Sequence, residues 1–129
     1  MQPLFLSVDR VLRLHDMQLR LFGGADGVRD LGLLESAIGN AEATFGGEFL
    51  HQDLFEMAAA YLYGICRNHP FVDGNKRTAV TSALVFLEIN DIWVESNDDE
   101  LYALVIATAE ARADKSEIAE FLRERVKNV

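Results

Sequence analysis

Residues Asn68–Ala79, NHPFVDGNKRTA, place one histidine, one acid, one glycine and two adjacent cations ahead of an apolar helical pattern. A neutral imidazole, whose ordinary pKa is about 6.5, can take a proton from a hydroxyl that attacks phosphorus, and His69 suits that role. Asp73 can hold magnesium or orient the base. Gly74 and Asn75 immediately precede a helix predicted over Arg77–Asn90. The free N–H groups of its first turn then point into the Asp73–Lys76 turn and, aided by the helix dipole, form an anion site. Lys76 and Arg77 oppose the dipole there, a conflict that a bound polyanion offsets. These parts fit phosphoryl or nucleotidyl transfer, in which positioning and neutralisation of phosphate charge supply most of the acceleration. The plainer reading makes Asp73-Gly74-Asn75 ordinary turn and N-cap chemistry, His69 structural and Lys76-Arg77 solvated surface. Residue chemistry alone leaves both readings open.

Competing chemistries are poorly supplied. Cys66 stands three residues before His69, but it ends an apolar helical pattern, where a free cysteine serves as a small hydrophobe rather than a nucleophile. His69 and Asp73 as a transition-metal pair have no third ligand close in sequence. There is no GxxxxGK[ST] loop, HExxH helix or paired-cysteine site. His15 and His51 read as structural or exposed, and Trp93 and the phenylalanines as core or contact surface.

The elements that must carry the turn are helical. Val8, Val11, Leu12, Leu14, Leu19 and Phe22 follow a Ser7 N-cap and stop at Gly23-Gly24. A second helix begins near Asp30 and presents Leu33, Leu34, Ala37, Ile38 and Ala41. Asp53 with Glu56 resembles a capping box, and Leu54, Met57, Ala58, Tyr61, Leu62 and Ile65 make the third helix the central one. After the Arg77–Asn90 helix, Ile92-Trp93-Val94 suits only a short extended piece. Asn97 with Glu100 starts a fifth helix, and a sixth begins near Ser116. Phe45–Gln52, FGGEFLHQ, reads as a loop or small hairpin of the kind that contacts partners. The expectation is an all-α, bundle-like single domain over 1–129 with about six helices and one small flap.

Composition bounds the partners. The chain has 129 residues, with 21 Asp plus Glu against 12 Lys plus Arg and a formal net charge of -9, so a general nucleic-acid or anionic-membrane surface is not expected and any phosphate chemistry must be local. The single cysteine allows no intrachain disulfide. The N-terminal residues do not read as a secretory signal, and no apolar run approaches the roughly 20 residues of a membrane span. A cytoplasmic, soluble protein is the expectation.

The stretch His69–Arg77, HPFVDGNKR, resembles the Fic-fold signature HPFx[DE]GNGRxxR and looks closest to the Doc (death-on-curing) branch, whose version ends NKRTA. GVRDLGLLESAI at Gly27–Ile38, DLFEMAAAYLYGICRNHPF at Asp53–Phe71 and ALVFLEIN at Ala83–Asn90 are similar to that branch in order and spacing, so the resemblance spans roughly the first three-quarters of the chain. It implies an all-α Fic domain with His69 as general base toward a protein hydroxyl and Asp73 in magnesium coordination or orientation. Asn75, Lys76, Arg77 and the helix amides that follow Gly74 would cradle nucleotide phosphates. By position, Phe45, Gly46, Gly47, Glu48, Phe49 and Leu50 fall where Fic proteins carry a flap that docks the target peptide.

Two departures separate the chain from AMP-transferring members: Lys76 replaces the second glycine of the signature, and Val80 replaces its final arginine. Doc-like proteins share both. The resemblance therefore implies a toxin kinase that delivers the terminal phosphate of ATP, with Mg2+, to a threonine or serine hydroxyl of a target such as elongation factor Tu. AMP transfer is the alternative within the enzyme class, and a non-catalytic interaction domain is the alternative outside it. An inhibitory [ST]xxxE[GN] helix is not matched, because Ser96–Glu100 is followed by Leu101. Control in trans by a Phd-like antitoxin is what the resemblance implies.

Overall fold

A computed structural model describes residues 2–127. Among the described residues there are six helices and one two-stranded hairpin, in the order α1 (Val8–Phe22), α2 (Leu31–Ala41), β1 (Thr44–Phe45), β2 (Glu48–Phe49), α3 (Leu54–Asn68), α4 (Asn75–Ile89), α5 (Asp98–Ala109) and α6 (Lys115–Glu124). The expected mostly helical architecture is therefore the one observed.

Local chemistry explains most boundaries. The side chains of Ser7, Asp30, Asp53 and Asn97 each accept the backbone N–H three residues on, as N-caps of α1, α2, α3 and α5. The Asp53–Glu56 pair is only half a capping box, since the Glu56 carboxylate accepts from Gln52 N–H at 2.7 Å rather than from Asp53. The reciprocal box instead forms in α6, between Asp114 and Glu117, and starts that helix at Lys115, just ahead of the expected Ser116. Ile92-Trp93-Val94 joins no ladder and contributes an isolated bridge between Val94 and Val126.

The core forms around α3. Met57–Leu62 are buried without interruption, which a helix tolerates only when it is surrounded on several sides. It packs on α2, α4, α5 and α6, while α1 reaches the assembly mainly through α4. Tyr61 is fully buried, and its hydroxyl accepts Leu6 N–H at 2.9 Å, which ties the N-terminal segment to the centre. That removal from water drives its phenol pKa upward.

The Phe45–Gln52 connector is a hairpin with Thr44 opposite Phe49 and Phe45 opposite Glu48. Gly46 and Gly47 lie at φ 61° and 84°, the double left-handed geometry of a type I′ turn, whose twist matches that of paired strands.

Candidate active site

The site is built on the break between α3 and α4. Pro70 cannot continue a helix and disfavours helical backbone in the residue before it. His69 accordingly leaves α3 as a left-handed C-cap at φ 51°, ψ 54°, a conformation that costs a side-chain-bearing residue about 1–2 kcal/mol. Arg29 supports it: Nε donates to the His69 carbonyl at 2.7 Å and Nη2 to the Asn68 carbonyl at 2.9 Å, satisfying acceptors left open at the helix end.

The loop between α1 and α2 then pairs with the Pro70–Asp73 segment. Arg29 and Asp30 N–H donate to Pro70 O, Val72 N–H donates to Gly27 O, and Val28 bridges Phe71. Phe71 is fully buried and anchors the segment in the core. The Asn75 carboxamide grips both the N–H and the carbonyl of Phe71, each at 2.9 Å. His15, from α1, stacks flat on the Phe71 ring at 3.7 Å and donates Nε2–H to the Asp73 carbonyl at 2.8 Å.

The Asp73 carboxylate accepts Ala25 N–H at 3.1 Å and Gly74 N–H at 2.8 Å, and these two bonds, in that order, hold its pKa below the usual carboxylate range. Asp73 thus fastens the α1–α2 loop to the turn while each of its oxygens keeps a further lone pair.

Gly74, at φ 77°, is the N-cap of α4 and offers no side-chain cap. The first backbone bond of the helix runs from Thr78 N–H to Gly74 O, so the amides of Asn75, Lys76 and Arg77 have no intrahelical acceptor. Helix α4 begins at Asn75, two residues before the expected Arg77, because the Asn75 side chain folds back on Phe71 instead of extending the turn. Lys76 and Arg77 are exposed, and among the described residues neither joins an ion pair. The Arg77 guanidinium sits 4.8 Å from the centre of the Phe22 ring.

These residues open on a cavity of about 560 Å³. His69, Asp73, Gly74, Asn75, Lys76 and Arg77 all line it, with Val80 and Thr81 further along α4. Val72 adds to the turn, and the remaining walls come from helices outside the motif, Gln18 and Phe22 from α1 and Asp98, Leu101, Tyr102 and Val105 from α5. Tyr102 lies off the Leu104, Val105 and Thr108 face that α5 buries and is two-thirds exposed. Arg29 gave no signal beyond its place in the GVRD stretch, since its partners lie 39 and 40 residues away.

The flap does not line this cavity. Phe45 is 85% exposed and Leu50 57%, Glu48 is exposed beside the Gly46-Gly47 turn, and Phe49 packs its ring against Phe5 at 5.6 Å. The other candidates fall outside the cavity too. Cys66 is buried, its thiol directed to Val105 O at 3.7 Å and its pKa pushed up by burial. His51 Nε2 and Lys115 Nζ share the Asn40 amide oxygen, and burial followed by the Lys115 charge lowers the His51 pKa. Glu100, at the end of Ser96–Glu100, pairs with Arg125, which holds its carboxyl below the ordinary range. Among the described residues, no three His, Cys, Asp or Glu side chains gather to hold a metal. None of the described helices is long and apolar enough to cross a membrane.

The segment that carries the site also matches known proteins. The family model described as Fic/DOC family matches residues 5–87, which include α1 through most of α4. The chain is 38% identical over 118 residues to "Protein kinase doc" of Escherichia phage P1, covering 92% of each protein. It is 45% identical over 78 residues to "Toxin Doc" of Mycolicibacterium smegmatis, covering 60% of each. With the left-handed histidine and the uncapped helix mouth both inside the residues 5–87 that the family model matches, the chain belongs to the Fic/DOC family.

Proposed function

We propose that this protein is a Doc-like toxin kinase that moves the terminal phosphate of ATP to a threonine or serine hydroxyl of a protein target such as elongation factor Tu. The observation that carries the reading is the open mouth of α4: three amides without helical partners, flanked by Lys76 and Arg77, on the cavity that His69 also lines. An anionic phosphate chain answers both the free N–H groups and the unpaired cations. In the reaction, His69 takes the proton of the target hydroxyl as its oxygen bonds to the γ-phosphorus. The bond to the β-bridging oxygen breaks, and ADP leaves. Lys76, Arg77 and the amides stabilise charge on the phosphate oxygens, while the Asn75 side chain braces the turn through Phe71.

Asp73 suits Mg2+, which commonly takes one or two carboxylates and completes its shell with phosphates and water, because both oxygens retain a lone pair after accepting backbone N–H. When bound there, the ion would offset negative charge on the phosphates. Lys76 and Val80, in place of the glycine and arginine of AMP-transferring members, favour delivery of the terminal phosphate, since a cationic side chain stands in the hollow and one phosphate clamp is missing. Control by a Phd-like antitoxin is part of the same proposal, as is a cytoplasmic site of action beside the translation machinery.

The test is incubation of protein and elongation factor Tu with ATP labelled on either the α or the γ phosphate. Transfer of γ label alone supports the kinase, α label replaces it with nucleotidyl transfer, and neither label together with capture of a binding partner replaces it with an interaction domain. His69→Ala should lose transfer and keep its circular dichroism and melting profile. Full activity in that variant removes His69 as the base.

A further inference from the structure

His15 is a buried titratable group that the reaction above does not use, at 4% exposure, with its ring stacked on Phe71 at 3.7 Å and 6° and Nε2 held 2.8 Å from the Asp73 carbonyl. A carbonyl only accepts, so His15 must carry its proton on Nε2. The peptide it holds is the one between Asp73 and Gly74. The N–H end of that peptide donates to Asp73 Oδ1 at 2.8 Å, so both ends are engaged. Glycine at φ 77° has unusual freedom, and the peptide before it can rotate at little intrinsic cost. Rotation through 180° would take the carbonyl oxygen from a donor to a carboxylate, replacing two hydrogen bonds by a repulsion. It would also take the N-cap Gly74 out of the φ 77° conformation from which the amides of Asn75, Lys76 and Arg77 follow. The His15 ring lies beside the turn itself, since a Cβ on Gly74 would meet it at 3.6 Å, an ordinary van der Waals contact.

We infer that His15 is a positioning residue that locks the Asp73–Gly74 peptide, and through it the anion-receiving amides of α4, in the orientation that takes a phosphate. This rests on the reading of the cavity as a nucleotide site. The ring supplies two separable contacts, a face for Phe71 and a donor for Asp73. His15→Phe keeps the first and loses the second, whereas His15→Gln keeps an N–H donor and loses the aromatic face.

Nitrogen-15 spectra of the wild-type imidazole should show Nε2 protonated in the neutral form. A bare Nε2 would overturn the inference even if neither variant folded. With no ligand present, exchange of the Gly74 amide proton with water should be about tenfold faster in His15→Phe and near wild type in His15→Gln. In the γ-phosphate assay, His15→Phe should raise KM for ATP about tenfold with a smaller change in kcat, and His15→Gln should recover most of that loss. Unchanged Gly74 exchange and unchanged KM in His15→Phe, with its melting temperature preserved, would refute the role. Absence of transfer in the wild type would instead count against the kinase reading, and the imidazole spectra and Gly74 exchange would still decide the role of His15.

Discussion

Arg29 shows how an exposed side chain can matter more to chemistry than to stability. Its guanidinium holds the two carbonyls that end α3, the second of which belongs to left-handed His69. Arg29→Ala should lower phosphate transfer about tenfold by loosening His69, the proposed base, with only a small change in melting temperature. Arg29→Lys should recover part of the rate, because a single ammonium cannot span both carbonyls as a planar fork does. Steady-state rates beside melting curves check both. Asp73 makes a prediction in pH. Its folded-state pKa lies below the ordinary 3.8, so its contribution to stability is fully present above that value and is lost as pH falls further, through the folded pKa. Asp73→Asn should therefore be less stable than wild type at neutral pH, with the gap closing below 3.8. Acid unfolding curves of the two proteins measure it, and a gap that persists at the acid end would contradict the assignment.

At the scale of elements, the hairpin and the cavity are separate devices. The flap residues stand off the cavity wall, and the turn depends on Gly46 and Gly47 at positive φ. Gly46→Val places a β-branched residue where left-handed backbone costs about 1–2 kcal/mol, which should unpair the short strands. If the flap docks the target, transfer to protein should fall while KM for ATP holds. A raised ATP KM would instead mean that the hairpin shapes the nucleotide site. The hairpin was legible in FGGEFLHQ because two consecutive glycines between apolar residues are a local turn signal. Helix α4 starts two residues ahead of the expected Arg77 for an equally local reason, since Asn75 spends its side chain on Phe71 and can enter the helix. The cap of α6 at Asp114 was missed because Ser116 offered a competing signal two residues later.

Across the whole molecule, α3 is the element against which the others register, and its contact with α2 is unusually close. A Cβ on Gly64 would stand 3.1 Å from both Cα and Cβ of Ala37, and the backbone atom has little room to yield. Gly64→Ala should destabilise the fold by about 1–3 kcal/mol despite its better helix propensity, as urea unfolding would measure. Cooperative loss of the whole structure is expected, because α3 touches α2, α4, α5 and α6 together. What the amino-acid order determined by itself was what depends on neighbours along the chain. Caps at Ser7, Asp30, Asp53 and Asn97, the helical periods, the Gly46-Gly47 turn and the crowding of His69, Asp73, Lys76 and Arg77 into one short break all follow from bonds that span a few residues. Only the tertiary structure decided which distant groups support that break. His15 lies 58 residues from the carbonyl it holds, Ala25 lies 48 from the carboxylate it engages, and Arg29 reaches across 40 to His69. The walls that α1 and α5 lend to the cavity likewise exist only once α3 and α4 have packed, for side chains that make no contact along the sequence leave no periodicity in it to read.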